Sequence, residues 1–177
     1  MGKKVLQSDR IYLKLIEKSD LEFLMNLRND QIICRGIVHT PLSYESQLNW
    51  YNNSDTSMQF VITLTEGDIQ MGAIGLNDVD YKHQRAEWNI RLDSKFFKKG
   101  YANEASKLLI DYVFRTHNIN KLVGMSFTEN KSARANILKQ GFKQEGILKQ
   151  HFYHNGKFRD IDVFGLLKEE YFNNEDE

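Results

Sequence analysis

The apolar and polar residues of this chain alternate first with the period of a strand and then with the period of a helix. Residues 10–16 alternate one by one, which is typical of a half-buried strand. Ser19 and Glu22 then form a capping-box pattern, which predicts that a short helix begins there. Pro41, the only proline of the chain, precedes a second predicted helical stretch that reaches about Trp50.

Further strands and helices follow in a mixed order. Gly72 and Gly75 interrupt one predicted strand, which indicates a bulge or a close approach of another backbone. Gly141 is expected to end the last long helix, because glycine readily adopts the positive φ that favours a helix end. We predict strands at 59–65, 69–79, 86–92 and 122–127, helices at 101–116 and 130–140, and a closing hairpin that turns at Asn155-Gly156.

This order of elements predicts a mixed α/β (α+β) fold. A chain of 177 residues is long enough to bury a sizeable core. Its 41% hydrophobic and 12% aromatic residues are typical of a globular domain rather than of a disordered chain. No linker or repeat divides the sequence, so we expect a single domain over residues 1–177.

The charge and cysteine content argue against several classes of partner. Lys plus Arg total 24 and Asp plus Glu total 24, so no overall field favours nucleic acid or an anionic membrane. The lone Cys34 excludes an internal disulfide and a cysteine zinc site, and no His-Glu-x-x-His pattern occurs, so we expect no metal. The chain shows no long apolar run and no signal peptide, which indicates a cytoplasmic protein.

The segment from Phe97 to Ala105 carries the clearest chemical signal, because a predicted strand leads through Gly100 into a helix. The first N–H groups of a helix have no partner inside it, and the helix dipole adds partial positive charge there. Such a turn binds phosphate, so it predicts a nucleotide-like cofactor. Neither the P-loop pattern nor the dinucleotide pattern Gly-x-Gly-x-x-Gly is present, so another class of site is expected.

Two ordered motifs point to a family. The run 97–102 fits the pattern Gln/Arg-x-x-Gly-x-Gly/Ala except at Phe97 itself, and Lys98 stands where a second glycine is frequent. A second segment, 130–142, begins with asparagine and ends in Lys-x-Gly-Phe. With Arg85-Ala86-Glu87-Trp88, these motifs resemble the GNAT N-acetyltransferase superfamily, in the branch of ribosomal-protein alanine and spermidine N-acetyltransferases. If the lysine needs a positive φ, the strain costs roughly 1–2 kcal/mol.

The resemblance implies a central mixed and splayed β-sheet flanked by helices. It also implies acetyl-CoA as co-substrate, with the pyrophosphate on the loop and the pantetheine arm in the splayed gap between two central strands. The cofactor-binding residues that it implies are Ile90, Arg91 and Leu92 on the strand, Phe97, Lys98, Lys99, Gly100, Tyr101, Ala102 and Asn103 in the loop, and Asn130, Ala133, Ile137 and Lys139 in the second motif.

The acceptor is expected to be a primary amine, which must lose a proton before it attacks a thioester. If Ala86 and Trp88 face the core, Glu87 and Arg91 share the other face of their strand. In the spermidine-acetylating enzymes that the chain resembles, the matching glutamate lies at the acceptor site. Glu87 is therefore the candidate general base. The alternative is an ion pair of Glu87 with Arg85 or Arg91 on a solvated face.

A general acid for the leaving thiolate is not indicated. Many GNAT enzymes carry a tyrosine where this chain has Ile137, and Tyr153 in the closing hairpin is more typical of a packing residue.

We expect a small-molecule acceptor such as a polyamine or an amino sugar, and a homodimer or higher homo-oligomer. The segment 36–41, however, lacks the acidic residues that would attract a polycation. A protein N-terminal amine as acceptor, or a weakly catalytic acyl-CoA-binding module, are the alternatives.

Overall fold

Eight strands form one mixed sheet in the order β1-β2-β3-β4-β5-β6-β8-β7 in the computed structural model, which describes residues 3–34 and 40–173. Among these described strands, β5 and β6 form the one parallel pair. The strands are β1 Lys4–Gln7, β2 Ile11–Leu15, β3 Gln59–Leu64, β4 Ile69–Asp80, β5 Arg85–Leu92, β6 Lys121–Phe127, β7 Lys143–His154 and β8 Lys157–Leu167. The α-helices are α1 Leu21–Asn29, α2 Gln31–Cys34, α3 Tyr44–Asn53, α4 Tyr101–Thr116, α5 Lys131–Lys139 and α6 Lys168–Asn173.

Helices cover both faces of this sheet. Because successive strand residues point to opposite faces, Phe60 and Ile62 of β3 pack in the cluster that contains α4. Val61 between them packs with Leu21 and Leu24 of α1 on the other face. The predicted α/β class with a mixed sheet and flanking helices is confirmed. Within the described ranges, no helix has the length and apolar content needed to cross a membrane.

The two helices that carry the motifs have the predicted bounds because their signals are local. Apolar residues of α4 recur with helical spacing at Ala105, Leu109 and Val113, and all three are fully buried. Asn130 caps α5, and its side-chain Oδ1 accepts a hydrogen bond from the Ala133 N–H at 3.1 Å.

The start of α1 differs from the prediction. The helix does not begin at a Ser19–Glu22 capping box; a 3₁₀ turn over Lys18–Asp20 leads into α1 instead. Asp20 Oδ2 accepts a hydrogen bond from the Glu17 N–H at 2.9 Å, and its other oxygen binds the Lys14 Nζ at 2.5 Å. A lysine from the neighbouring strand thus holds the turn, and local sequence spacing carries no trace of it.

The other early helix follows Pro41 as predicted, since α3 starts at Tyr44 after its cap Ser43. The segment 36–41 contains no acidic residue, and its residues 36–39 lie outside the described residues.

The two glycines of β4 mark a close approach between strands, as predicted. A Cβ atom at Gly72 would lie 2.3 Å from the Arg91 carbonyl oxygen of β5, and one at Gly75 would lie 2.6 Å from the Met58 carbonyl oxygen. The ladder of β3 and β4 also shifts register beside Gly72. The absence of side chains therefore lets β4 lie close against its neighbours on both sides.

Candidate active site

The central strands β5 and β6 form a gap in the middle of the sheet. They pair only at Arg85–Lys121, Ala86–Leu122 and Glu87–Val123, while β5 continues to Leu92 and β6 to Phe127. The backbone of β5 beyond Glu87 therefore has no ladder partner on the β6 side in the part of the chain that is described. The predicted splay is confirmed, and Glu87 lies where it begins.

A loop with free N–H groups follows β5. Gly100 precedes α4 with φ 85°, which is a left-handed conformation that glycine adopts without strain, and it offers no capping side chain. In the described residues, none of the six N–H groups from Lys98 to Asn103 donates a hydrogen bond. Six adjacent donors at a helix N-terminus form a site for a phosphate or pyrophosphate.

Arg10, the residue directly before β2, holds this loop in place. Its guanidinium donates to the Lys99 carbonyl oxygen at 3.3 Å and to Glu104 Oε2 at 2.9 Å, and it lies 4.7 Å from the centre of the Tyr101 ring. The Ser8 hydroxyl also donates to Glu104, at 2.5 Å. Because Arg10 neutralises the Glu104 carboxylate, the first turn of α4 keeps its attraction for an anion.

Lys98 is strained, and the strain predicts a stabilising substitution. Its φ is 60°, in the left-handed region that costs a residue with a Cβ roughly 1–2 kcal/mol. We expect Lys98→Gly to raise the free energy of unfolding by about 0.5–1 kcal/mol, since glycine's greater freedom in the unfolded chain offsets part of the relief. Urea denaturation measures this change.

Lys99→Gly is the matched control for this prediction. It removes the same charge from the adjacent residue, whose φ is not positive. No strain is relieved there, so glycine's greater freedom in the unfolded chain should lower the free energy of unfolding. Equal effects of the two substitutions would show that charge, and not backbone strain, decides the stability of the loop.

The predicted cofactor-binding residues of the second motif lie at different depths. Ile137 is 2% exposed and belongs to the apolar core, Ala133 is half-buried, and Lys139 is exposed. Gln140 was not among the predicted site residues, and its Nε2 donates a hydrogen bond to Asn103 Oδ1 at 2.6 Å. This bond joins the end of the second motif to the start of α4. The only sequence signal for Gln140 was its position just before Gly141, the glycine that was expected to end the helix.

Two residues in the splayed parts of β5 and β6 carry buried polar atoms that have no partner among the described residues. Trp88 Nε1 on β5 and Ser126 Oγ on β6 are buried and make no hydrogen bond within the described structure. Both residues lie beyond the last β5–β6 pair. A buried polar atom is costly unless a partner binds it. The amides of a pantetheine arm are such partners, so the gap fits the acetyl-CoA that the loop also fits.

Glu87 is half-buried and has an unusual environment for a carboxylate. No described residue forms a hydrogen bond or an ion pair with Glu87. Arg85, one of the two arginines considered as its partner, pairs with Asp80 at 3.7 Å. Burial raises the pKa of Glu87, the negative charge of Asp78 raises it further, and Arg91 partly offsets both effects. The described residues therefore do not form the alternative, an ion pair of Glu87 with Arg85 or Arg91.

Arg91 lies on the same strand face as Glu87. Burial and the neighbouring positive charge of Arg28 lower the pKa of Arg91 to about 10, while Glu87 acts in the opposite direction. Burial also lowers the pKa of Arg28.

Tyr153 is 64% exposed in the final hairpin, where its ring packs 5.3 Å from the ring of Phe158. These contacts are those of a packing residue, and no general acid is assigned.

A splayed central sheet with a loop of unpaired N–H groups at its open end is the arrangement expected of an acyl-CoA-dependent acyltransferase. Residues 10–143 match the family described as Acetyltransferase (GNAT) domain. The chain belongs to this GNAT family. It is an acetyl-CoA-dependent N-acetyltransferase, and acetyl-CoA is its co-substrate.

Similar proteins support the predicted branch. The chain is 26% identical over 170 residues to the spermidine N(1)-acetyltransferase of Vibrio cholerae, covering 94% of this chain and 98% of the relative. A crystal structure of the Vibrio cholerae spermidine N-acetyltransferase in complex with CoA and spermine has a TM-score of 0.87, with 27% identity and coverage of 94% of this chain and 100% of that one. The putative ribosomal N-acetyltransferase YdaF of Bacillus subtilis is 30% identical over 100 residues, or 56% of this chain and 55% of the relative.

Proposed function

We propose that the chain acetylates the primary amine of a small molecule, with Glu87 as general base. The observation that carries this proposal is the half-buried Glu87 carboxylate, without a partner in the described residues, at the point where the gap between β5 and β6 begins. An acetyl group carried in that gap would lie next to this carboxylate. A base with a raised pKa is suited to take a proton from an amine near neutral pH.

The reaction is a direct transfer. The neutral amine nitrogen attacks the thioester carbonyl carbon, so that a C–N bond forms and the C–S bond breaks. CoA leaves as a thiolate, and Glu87 takes the proton that the amine nitrogen loses. The loop from Phe97 to Asn103 would hold the pyrophosphate, and Ile90 to Leu92 would pair with the pantetheine arm.

The relatives make polyamines the first acceptor class to test, and amino sugars are the second. The experiment is the release of free CoA from acetyl-CoA by the purified protein with spermidine, glucosamine and short peptides that have free N-termini. Turnover confined to the small amines supports the proposal. Turnover confined to peptides would favour an N-terminal acetyltransferase, and acetyl-CoA binding without any turnover would favour the binding module.

The charge of Asp78 is expected to set part of the pH dependence. Glu87 must be ionised to accept a proton, so kcat/KM should rise as pH increases through the pKa of Glu87. Because Asp78 raises that pKa, Asp78→Asn should move the acid limb of the pH profile to lower pH. The measurement is kcat/KM against pH for both proteins.

Asp55→Asn is the control for this shift, because Asp55 is an exposed carboxylate with no effect on the pKa of Glu87. An unmoved limb in Asp78→Asn, or an equal movement in Asp55→Asn, would contradict the assignment of the limb to Glu87.

We also propose that residues 1–177 form one acetyltransferase domain that works in the cytoplasm as a homodimer or larger homo-oligomer. The support for assembly is the exposed aromatic pair of the final hairpin, Tyr153 and Phe158, which are 64% and 61% exposed. Large apolar side chains at such exposure are typical of surfaces that bind another chain.

A further inference from the structure

Arg91 points to the sheet face that α1 covers, which is the face opposite α4. It lies directly across from Ala73 of β4, and residues opposed in this way share a face. Ala73 packs against the cluster of Leu21 and Leu24 from α1. Glu87, four residues before Arg91, is on the same face. The arginine and the candidate base therefore line the same side of the sheet.

The Arg91 guanidinium has few hydrogen-bond partners among the described residues. Its Nη1 lies 3.5 Å from Asn89 Oδ1, at the long limit of a hydrogen bond, and its Nε is buried without a partner among the described residues. Asn89 lies between Arg91 and Glu87 on the strand, and its Nδ2 donates to the Gly75 carbonyl oxygen at 3.1 Å. The guanidinium thus leans back along β5 toward Glu87.

A second arginine adds like charge to this place. Arg28 lies half-buried in the last turn of α1, close enough for its charge to disfavour the charged form of Arg91. No carboxylate within 3–34 or 40–173 forms an ion pair with either arginine, and residues 35–39 contain no Asp or Glu. The negative end of the α1 dipole favours the positive charge of Arg28, but it does not explain the burial of the Arg91 charge on β5. The Glu87 carboxylate offsets only part of this positive charge, and two partly buried like charges are costly unless a further anion binds them.

We propose that the acceptor carries an anionic group, a carboxylate or a phosphate, which binds between Arg28 and Arg91 while the amine lies at Glu87. The planar guanidinium matches both anions, because each offers two oxygen atoms to parallel N–H donors. This proposal rests on the proposed function and narrows its acceptor class. It disfavours a polycation such as spermidine, which the two arginines would repel.

The spacing along β5 indicates a compact acceptor. Glu87 and Arg91 lie four residues apart on a strand, or roughly 13 Å between Cα atoms, and both side chains reach into that span. Gly75 stands opposite Asn89 there, and the Gln59 side chain lies over it, with Oε1 2.5 Å from the position of a Cβ atom. The span suits an amine and an anion separated by a few bonds, as in an amino acid or a phosphorylated amino sugar.

The first test measures anion binding to the protein saturated with acetyl-CoA, so that the pyrophosphate loop is already filled. Inorganic phosphate and acetate are titrated by calorimetry into the wild type, Arg91→Gln, Arg28→Gln and Lys149→Gln. Lys149→Gln removes an equal charge from an exposed position. We expect one of the anions to bind the wild type and Lys149→Gln, and to bind at least tenfold more weakly to either arginine variant. Absence of anion binding to the wild type, or equal binding to all four proteins, overturns the proposal.

The second test distinguishes the two anions and separates recognition from chemistry. CoA release is measured with matched pairs, glucosamine against glucosamine 6-phosphate and amino acids against their carboxamides, and with spermidine. We expect the anionic member of one pair to have at least tenfold higher kcat/KM, and Arg91→Gln to abolish that preference through KM. A preference for spermidine or for the neutral members overturns the proposal, as does an equal fall of kcat for all acceptors in Arg91→Gln.

The two proposals fail in different ways. Anion binding that needs both arginines, with no amine acetylated, would contradict the proposed small-molecule acceptor alone. Turnover of neutral amines without anion binding would contradict the arginine site alone.

Discussion

Replacing Glu87 by glutamine is expected to lower turnover by about 10²–10⁴-fold, the range by which a positioned general base accelerates proton transfer. Glutamine keeps the size and hydrogen-bonding capacity of the side chain but cannot accept the proton of the amine. The affinity for acetyl-CoA should not change, because the proposed pyrophosphate contacts are backbone N–H groups from Lys98 to Asn103. Steady-state CoA release and direct acetyl-CoA titration measure the two quantities.

Glu22→Gln is the matched control, since Glu22 is an exposed carboxylate in the first turn of α1. It should keep the turnover of the parent protein. Undiminished turnover in Glu87→Gln would remove Glu87 from the mechanism. Loss of acetyl-CoA binding in the same variant would mean that Glu87 supports the fold of the gap rather than the proton transfer.

Replacing Asp20 by alanine is expected to lower the free energy of unfolding by about 3–5 kcal/mol, which is typical of removing one partner from a buried ion pair. Lys14 and Asp20 are 8% and 2% exposed, and Lys14 Nζ lies 2.5 Å from Asp20 Oδ1. The same carboxylate accepts a hydrogen bond from Gln70 Nε2 at 2.6 Å. Without it the Lys14 ammonium stays buried and unpaired. Urea denaturation at neutral pH measures the loss.

The double variant Lys14→Met with Asp20→Ala tests the reason for this loss. Methionine fills the space of the lysine stem without a charge, so the double variant should be more stable than Asp20→Ala alone. A single-variant loss below about 1 kcal/mol, the value for an exposed ion pair, would show that water reaches Lys14.

The helix starts that carry the candidate site were predicted correctly because their signals are short-range. Gly100 before α4 and Asn130 before α5 are caps, and a cap needs only its own few residues. The conditional prediction for Lys98 has a clear outcome, since its φ is 60°. Whether a lysine takes that conformation depends on what holds the loop, and Arg10, which is far away in the chain, does so.

The sequence by itself determined the alternation of strands and helices, the family motifs and the anion-binding turn, because hydrophobic period, capping and glycine conformation are local properties. Only the tertiary structure decided that Asp20 is held by Lys14, that Gln140 meets Asn103, and that the charge of Arg28 on α1 acts on Arg91 of β5. Those contacts join residues brought together by packing α1, α4 and α5 on the two faces of the sheet. Burial and charge proximity belong to that packing, and no spacing along the chain encodes them.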